Sequence, residues 1–243
     1  MFQIAKKLLL ALAIITTSLS AVEELSQDEV TKIEQLELFK RAQIKVTKAY
    51  DMGNLYALII NARGNNDQVF LTKDKKRLIT GDVIDTNDGS KVTPPTDLTG
   101  VRGKEAFIYG TGTEEYFLFT DPECPYCKKF ESYFPQIKKN VKIRVFYYPL
   151  DFHKNAKDMS LYVMSKKTLD EKTKAMLTIS TEDEGYKNRK YSEDEKAKLE
   201  KSLEVQMEIA QRIGVQGTPA VYDENGKKVV WVNLLRKHGI TVK

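Results

Sequence analysis

Two cysteines in the whole chain stand three residues apart, as Cys124-Pro125-Tyr126-Cys127. They follow a run of strand character, Tyr116 to Thr120, and the short stretch Asp121-Pro122-Glu123, and they open a segment of helical pattern. That placement has chemical consequences. Backbone N–H groups in the first turn of a helix lack intrahelical partners and together carry about half a positive charge. A thiolate at Cys124 is stabilised there, and the thiolate is the attacking species. Cys127 lies one turn on, close enough to form a disulfide with Cys124. Pro125 takes the first helical position, where the missing N–H is no loss. Lys128 and Lys129 add positive charge and Glu123 opposes them. The pattern therefore points to a redox-active dithiol. The competing readings are weaker. Half a zinc site would need further ligands, yet no second cysteine pair exists and His153 and His238 are far apart. An inert structural disulfide across so short a loop would restrain the unfolded chain little. No metal and no cofactor is expected.

A second motif stands downstream, Gly214-Val215-Gln216-Gly217-Thr218-Pro219-Ala220, where a helix gives way to a strand at a Thr-Pro bond. Alone, Thr218-Pro219 reads as an ordinary turn as readily as a binding element. Asp121 and Glu123 are candidates to relay protons to Cys127, while His153 and Trp231 are assigned to structure and packing.

The rest of the chain must position these groups. Its 243 residues allow one or two domains. An apolar content of 41% with 30% charged residues excludes a multi-span membrane protein and argues against global disorder. A net charge of +5 is mild and supplies no nucleic-acid footprint. Residues 1–20 read as a signal peptide: Lys6 and Lys7, a short apolar run from Leu8 to Ile15, and small residues Ser18 and Ser20 before a cleavage site after Ser20. The run is too short to span a bilayer, which takes about 20 apolar residues. Removal of the two lysines lowers the charge from +5 to +3 and places the chain where disulfides persist.

Residues 21–86 predict a small antiparallel α+β domain. Ser26-Gln27-Asp28-Glu29 fits a capping box opening a helix to about Lys40. Ile44, Val46, Lys48 and Tyr50 share one face of a strand, and further strands follow at Leu55 to Ala62, Val69 to Thr72 and Arg77 to Ile84. A unit this small is marginally stable alone and gains from a partner surface or a second copy. Residues 87–105, with Pro94, Pro95, Gly100 and Gly103, read as a linker that disfavours helix. Residues 106–243 alternate strands and helices: strands at Ala106 to Tyr109, Tyr116 to Thr120 and Val141 to Tyr148, and a helix from Pro125 ended or kinked by Pro135. A helical insertion spans about 153–213, with a capping box at Ser192 to Glu195 and a stripe of Leu199, Leu203, Ala210 and Ile213. A hairpin of Ala220 to Tyr222 with Lys228 to Val232 closes the pattern.

The strand, CPYC and helix, followed in order by Thr218-Pro219, resemble the thioredoxin fold. The whole layout is similar to the DsbC/DsbG family of periplasmic thiol:disulfide interchange proteins. Phe119-Thr120-Asp121-Pro122-Glu123-Cys124-Pro125-Tyr126-Cys127-Lys128-Lys129-Phe130 and Gly217-Thr218-Pro219-Ala220 carry the likeness, together with Lys76-Arg77-Leu78-Ile79-Thr80-Gly81. The extra structural disulfide of DsbC is absent, which leans toward DsbG, and the tail after Trp231 leaves room only for a stub of helix from Asn233 to His238.

The resemblance implies an α+β protein with a C-terminal thioredoxin-like domain carrying a helical insertion and a small N-terminal dimerisation domain. It implies that Pro219 is cis and keeps metals from the dithiol. Thr218, beside Pro219, would hold a client peptide next to Cys124 by its backbone, with Pro125 and Tyr126 shaping the client surface. It implies a periplasmic homodimer, kept reduced by a DsbD-type membrane reductase, that isomerises or reduces wrong disulfides in secreted proteins. A dedicated reductase for cytochrome c apoproteins or protein sulfenic acids, and a holdase chaperone whose cysteines are incidental, are the alternatives.

Overall fold

A computed structural model describes residues 22–87 and 89–242; the expected signal segment, residues 1–20, lies outside them. The protein is α+β and separates into two compact units after Leu78.

The first unit holds β1 (Glu23–Glu24), α1 (Gln27–Glu34), α2 (Glu37–Ala42), β2 (Ile44–Asp51), β3 (Leu55–Ala62) and β4 (Asn65–Thr72), and its sheet ends on β5 (Leu78–Thr80) in the order β1-β2-β3-β4-β5. Ser26 caps α1 in a full capping box with Glu29. The single helix expected to Lys40 is instead two. Gln35 closes α1, and Leu36 takes an extended conformation that starts α2 and turns Phe39 into the core.

Strand β2 also departs from simple alternation. Its pairing with β3 slips between Val46 and Lys48, leaving Thr47 as an extra residue. The bulge reverses the phase of the strand, so Ala49 joins Val46 in the core and Lys48 points to solvent. Glu34 Oε1 accepts the Val46 N–H at 2.8 Å, fastening α1 to the bulge. Arg63 and Gly64, both at positive φ, form a two-residue hairpin turn, which extends β4 back to Asn65. The strand expected from Arg77 to Ile84 shortens to β5, ending before Gly81 at φ 106°.

The second unit contains β6 (Phe107–Tyr109), β7 (Glu114–Thr120), α3 (Pro125–Glu131), α4 (Phe134–Ile137) and β8 (Val141–Tyr147). It continues with α5 (Ala156–Met164), α6 (Leu169–Thr178), α7 (Glu184–Lys187), α8 (Glu193–Arg212), β9 (Ala220–Asp223), β10 (Lys228–Val229) and α9 (Trp231–Lys237). The sheet order is β10-β9-β7-β8-β6, with β7 parallel to β8 and antiparallel to β9. The central strand β7 is apolar on both faces, as a strand covered by helices on each side must be. Tyr116 and Leu118 enter one core with Phe130, Phe134 and the α5–α6 residues, while Phe117 and Phe119 enter another with Phe146, Ile209 and Tyr222. The expected stripe on α8 is buried at Leu203 and Ala210, and Gln206 lies between them fully buried. Gln206 Oε1 accepts the Tyr147 N–H at 2.8 Å and so holds the end of β8.

Residues 87–105, expected to be a linker, contain no helix among the described residues and fall within the second unit, where much of the stretch is bonded to the strands and helices that follow. Thr96 N–H donates to Gly226 O at 2.8 Å. The Arg212 guanidinium reaches the carbonyls of Asp97 and Thr99. Val101 is fully buried in the Phe117–Phe119–Phe146 cluster. Gly226 sits at φ 79°, and a Cβ there would strike the Thr96 carbonyl, so this lacing needs glycine. Arg144, Glu105 and Glu115 form a buried charge cluster, with Arg144 Nη1 2.6 Å from Glu105 and Nε 2.8 Å from Glu115. The last strand is shorter than expected. Helix α9 begins at Trp231 rather than Asn233, and the Trp231 ring packs 5.4 Å from Phe130.

Candidate active site

The geometry of the site begins with the end of β7. Thr120 completes the strand, Asp121 turns the chain, and Cys124 becomes the N-cap of α3 with Pro125 in the first turn. Pro135 falls in the first turn of α4, so the helical path breaks between Glu131 and Phe134. On α3, Cys127 and Phe130 face the core and are fully buried, while Pro125 and the Tyr126 ring face solvent, Tyr126 at 68% exposure. Both cysteines are free thiols.

The 218–219 peptide bond is cis. Cys124 Sγ lies 3.3 Å from the Thr218 carbonyl, to which the thiol donates. The chain therefore brings together Cys124, Cys127 and Thr218 from positions ninety-four residues apart. Gly217, Thr218 and Pro219 are half-buried.

The two sulfurs have opposite acidities. Cys124 is lowered to about 5. The hydrogen bond from the Cys127 thiol is the main cause; burial opposes it, and the Cys127 N–H, the Thr218 hydroxyl and the Tyr126 N–H assist. Loss of the proton thus exchanges one bond given to Thr218 O for several received. The Thr218 hydroxyl is buried and otherwise without a partner, so it is available as one of those donors. Cys127 moves far in the other direction, first through burial, then through its bond to Cys124 and the nearby charge of Glu131.

Glu131 was not singled out from the sequence. It lies four residues after Cys127 on the same helix, 2% exposed, and its Oε1 accepts from Thr120 Oγ1 at 2.6 Å. Its Oε2 is buried with no hydrogen-bond partner among the described residues, as is the Tyr147 hydroxyl, which feels the Glu131 charge. Burial pushes the Glu131 carboxyl up to about 7, with Lys128 and Thr120 opposing. The available signal was a glutamate at the i+4 position from Cys127, on the face that Phe130 and Phe134 bury.

Asp121 and Glu123, weighed as relays to Cys127, are engaged otherwise. Asp121 accepts from the N–H groups of Glu123 and Leu150 and pairs with His153, while Glu123 receives the backbone and side-chain N–H of Asn155. Both carboxylates pin the loop after β8 to the loop before Cys124. Lys128 does not sit free beside the dithiol; its Nζ donates to Met176 O, and burial lowers its pKa. His238 Nε2 lies 3.5 Å from Glu114 without a hydrogen bond, while His153 pairs with Asp121. Among the described residues no three His, Cys, Asp or Glu side chains are grouped to hold a metal.

The chain belongs to the thioredoxin-like domain family, whose sequence model matches residues 108–233, just over half of its length. Solved structures with a similar chain path include the catalytic domain of ScsC from Proteus mirabilis. It shows 21% identity and a TM-score of 0.42, over 57% of this chain and 90% of that one. DsbG from Helicobacter pylori is 14% identical over 82% of this chain and 100% of that one, with a TM-score of 0.40. BdbD from Bacillus subtilis is 20% identical over 61% and 96%, with a TM-score of 0.41. No curated protein sequence matches the chain.

Proposed function

We propose that this protein exchanges thiols and disulfides in secreted client proteins, with Cys124 as nucleophile and Cys127 as resolving thiol. The observation that carries the reading is the place of Cys124 at the cap of α3, with its Sγ 3.3 Å from the Thr218 carbonyl that precedes the cis bond to Pro219. The Cys124 thiolate attacks one sulfur of a client disulfide. A bond forms between them, the client S–S bond breaks, and the second client sulfur leaves with the electron pair as a thiolate.

Two exits follow. A client thiolate attacks the mixed disulfide at the client sulfur and displaces Cys124, which reshuffles the pairing with no net redox change. Alternatively Cys127 loses its proton to the Glu131 carboxylate and attacks Cys124 Sγ, releasing the client sulfur as a thiolate. The client is then reduced and the protein holds a Cys124–Cys127 disulfide. An acid near neutrality suits that proton transfer, and burial puts Glu131 there. The low leaving-group pKa of Cys124 favours the first exit, in which Cys124 departs; in the second the client sulfur is the leaving group.

In this reading Thr218 holds an extended client segment by its backbone in strand fashion, next to Pro219, and Pro125 and Tyr126 face the client. The protein works in the periplasm as a homodimer through its N-terminal unit, recharged by a DsbD-type membrane reductase, and favours isomerisation. The test is refolding of a scrambled disulfide-bonded protein by wild type and by Cys124→Ala. Recovery of native pairing by wild type alone supports isomerisation. Client reduction without reshuffling indicates a dedicated reductase, and equal activity in both proteins indicates a holdase and refutes the proposal. Light scattering on the whole protein tests the dimer separately.

A further inference from the structure

One polar pair beside the dithiol takes no part in those steps. His153 Nδ1 lies 2.9 Å from Asp121 Oδ2. A carboxylate can only accept, so Nδ1 carries a proton and donates it. Asp121 is wholly buried and rigidly held: Oδ1 accepts the Glu123 N–H at 2.8 Å, Oδ2 the Leu150 N–H at 2.7 Å, and the Asp121 carbonyl accepts the N–H of Cys124 itself at 3.1 Å. One residue therefore positions both the nucleophile and the imidazole. The second ring nitrogen, Nε2, makes no hydrogen bond to another described residue, and the side chain is 18% exposed and near enough to Cys124 to feel its charge. Phe152, 74% exposed, stands edge-on to the ring at 4.4 Å.

The charged groups that face the ring are Asp121, Cys124 and Glu123, all anionic when ionised. They raise the His153 pKa, the Asp121 hydrogen bond most of all, so the ring keeps its second proton toward neutrality. Between about 5, where Cys124 ionises, and that raised value, a thiolate and an imidazolium coexist at the site.

An acidic nucleophile creates a chemical problem that such an imidazolium solves. Attack by a thiolate of low basicity on an ordinary dialkyl disulfide expels a more basic thiolate, with pKa about 8.5, which is an unfavourable exchange. Protonating the departing sulfur offsets the mismatch. We infer that His153 is the acid that donates its Nε2 proton to the thiolate a client releases when Cys124 attacks. The inference rests on the exchange reading above. In the step, the Cys124–client S–S bond forms, the client S–S bond breaks, and the leaving sulfur takes the proton. The product is a neutral thiol and a neutral imidazole, which water reprotonates.

Two uncharged small disulfides separate this role from others. Hydroxyethyl disulfide releases a basic alkyl thiol that needs a proton, whereas dipyridyl disulfide releases an acidic aryl thiol that does not. Single-turnover rates of the reduced whole protein are measured with both across pH, for wild type and for His153→Asn, whose side-chain amide can still donate to Asp121. The ratio of alkyl to aryl rate falls by at least about tenfold in the variant. The wild-type alkyl rate declines as the ring deprotonates, and that alkaline limb is missing from the variant. Imidazole in the medium restores the alkyl rate of His153→Ala. Equal falls with both disulfides, or an unchanged alkaline limb, would overturn the acid role and leave His153 acting only through its charge on Cys124. A wild type that reacts with neither disulfide would overturn the exchange reading and this role together.

Discussion

Replacing Glu131 by Gln isolates what a buried carboxyl beneath the dithiol does to stability. The side chain is 2% exposed, and burial raises its pKa from 4.5 to about 7. The fold thus prefers the neutral acid. Below about 4.5 both folded and unfolded chains hold the proton and nothing is lost. Between 4.5 and about 7 the unfolded chain releases the proton while the folded one keeps it, so stability falls as pH rises; above about 7 both have released it and the loss is complete. One pKa step is about 1.4 kcal/mol, so the full loss is about 3 kcal/mol. Glu131→Gln keeps an oxygen for the Thr120 hydroxyl and abolishes the titration. Its stability relative to wild type should therefore rise by about 3 kcal/mol between acid and mildly alkaline pH. Urea unfolding of the reduced proteins, followed by the fluorescence of Trp231, reads this directly. Trp231 is the one tryptophan of the chain and packs on Phe130 of α3, so it reports the second unit. Parallel pH profiles for the two proteins would refute the assignment of a buried, proton-holding carboxyl.

Alkylation of the reduced protein with iodoacetamide should follow a single ionisation near 5, with Cys124 modified and Cys127 silent; half-maximal rate near the ordinary thiol value would refute the site. Arg144→Met should cost about 1–3 kcal/mol in urea unfolding, because Glu105 loses its arginine while Glu115 keeps Arg102 and Lys142. Ser26→Ala removes the hydroxyl half of the α1 capping box, leaving the bond from its backbone N–H to Glu29, and should cost the first unit about 1 kcal/mol, measured by chemical unfolding. Gly112→Ala should leave little folded protein in a solubility and circular-dichroism assay, because a Cβ there would overlap the Asn140 backbone.

Features written in contiguous residues were readable before any coordinates. CPYC carries its own helix start, Ser26 and Ser192 announce caps, and β7 shows its double-sided burial as an unbroken apolar run. Features decided across the chain were not. Nothing local marks Thr47 as an extra residue, because the phase change depends on how β3 pairs. The break at Gln35–Leu36 depends on Phe39 finding the same core as Val30 and Ile33. Trp231 reads as the end of a hairpin until Phe130 offers it a packing surface. Polar residues were the hardest. Glu131 and Gln206 have the composition of a solvated helix face and become special only when a strand end meets them. Asp121 and Glu123 sit next to Cys124 in sequence, yet their bonds run to the loop after β8.

The lacing of residues 96–101 has a practical corollary for dissecting the protein. A fragment trimmed to the family match at residue 108 would lack Val101, a plug for the aromatic stack of Phe117, Phe119 and Phe146, and would leave Arg212 without its two carbonyls. Such a fragment carries every residue of the chemistry and still exposes a greasy hole on the side of the sheet. Loss of solubility on truncation would therefore report a missing strap rather than a missing partner, and fragments of the second unit should begin upstream of Thr96.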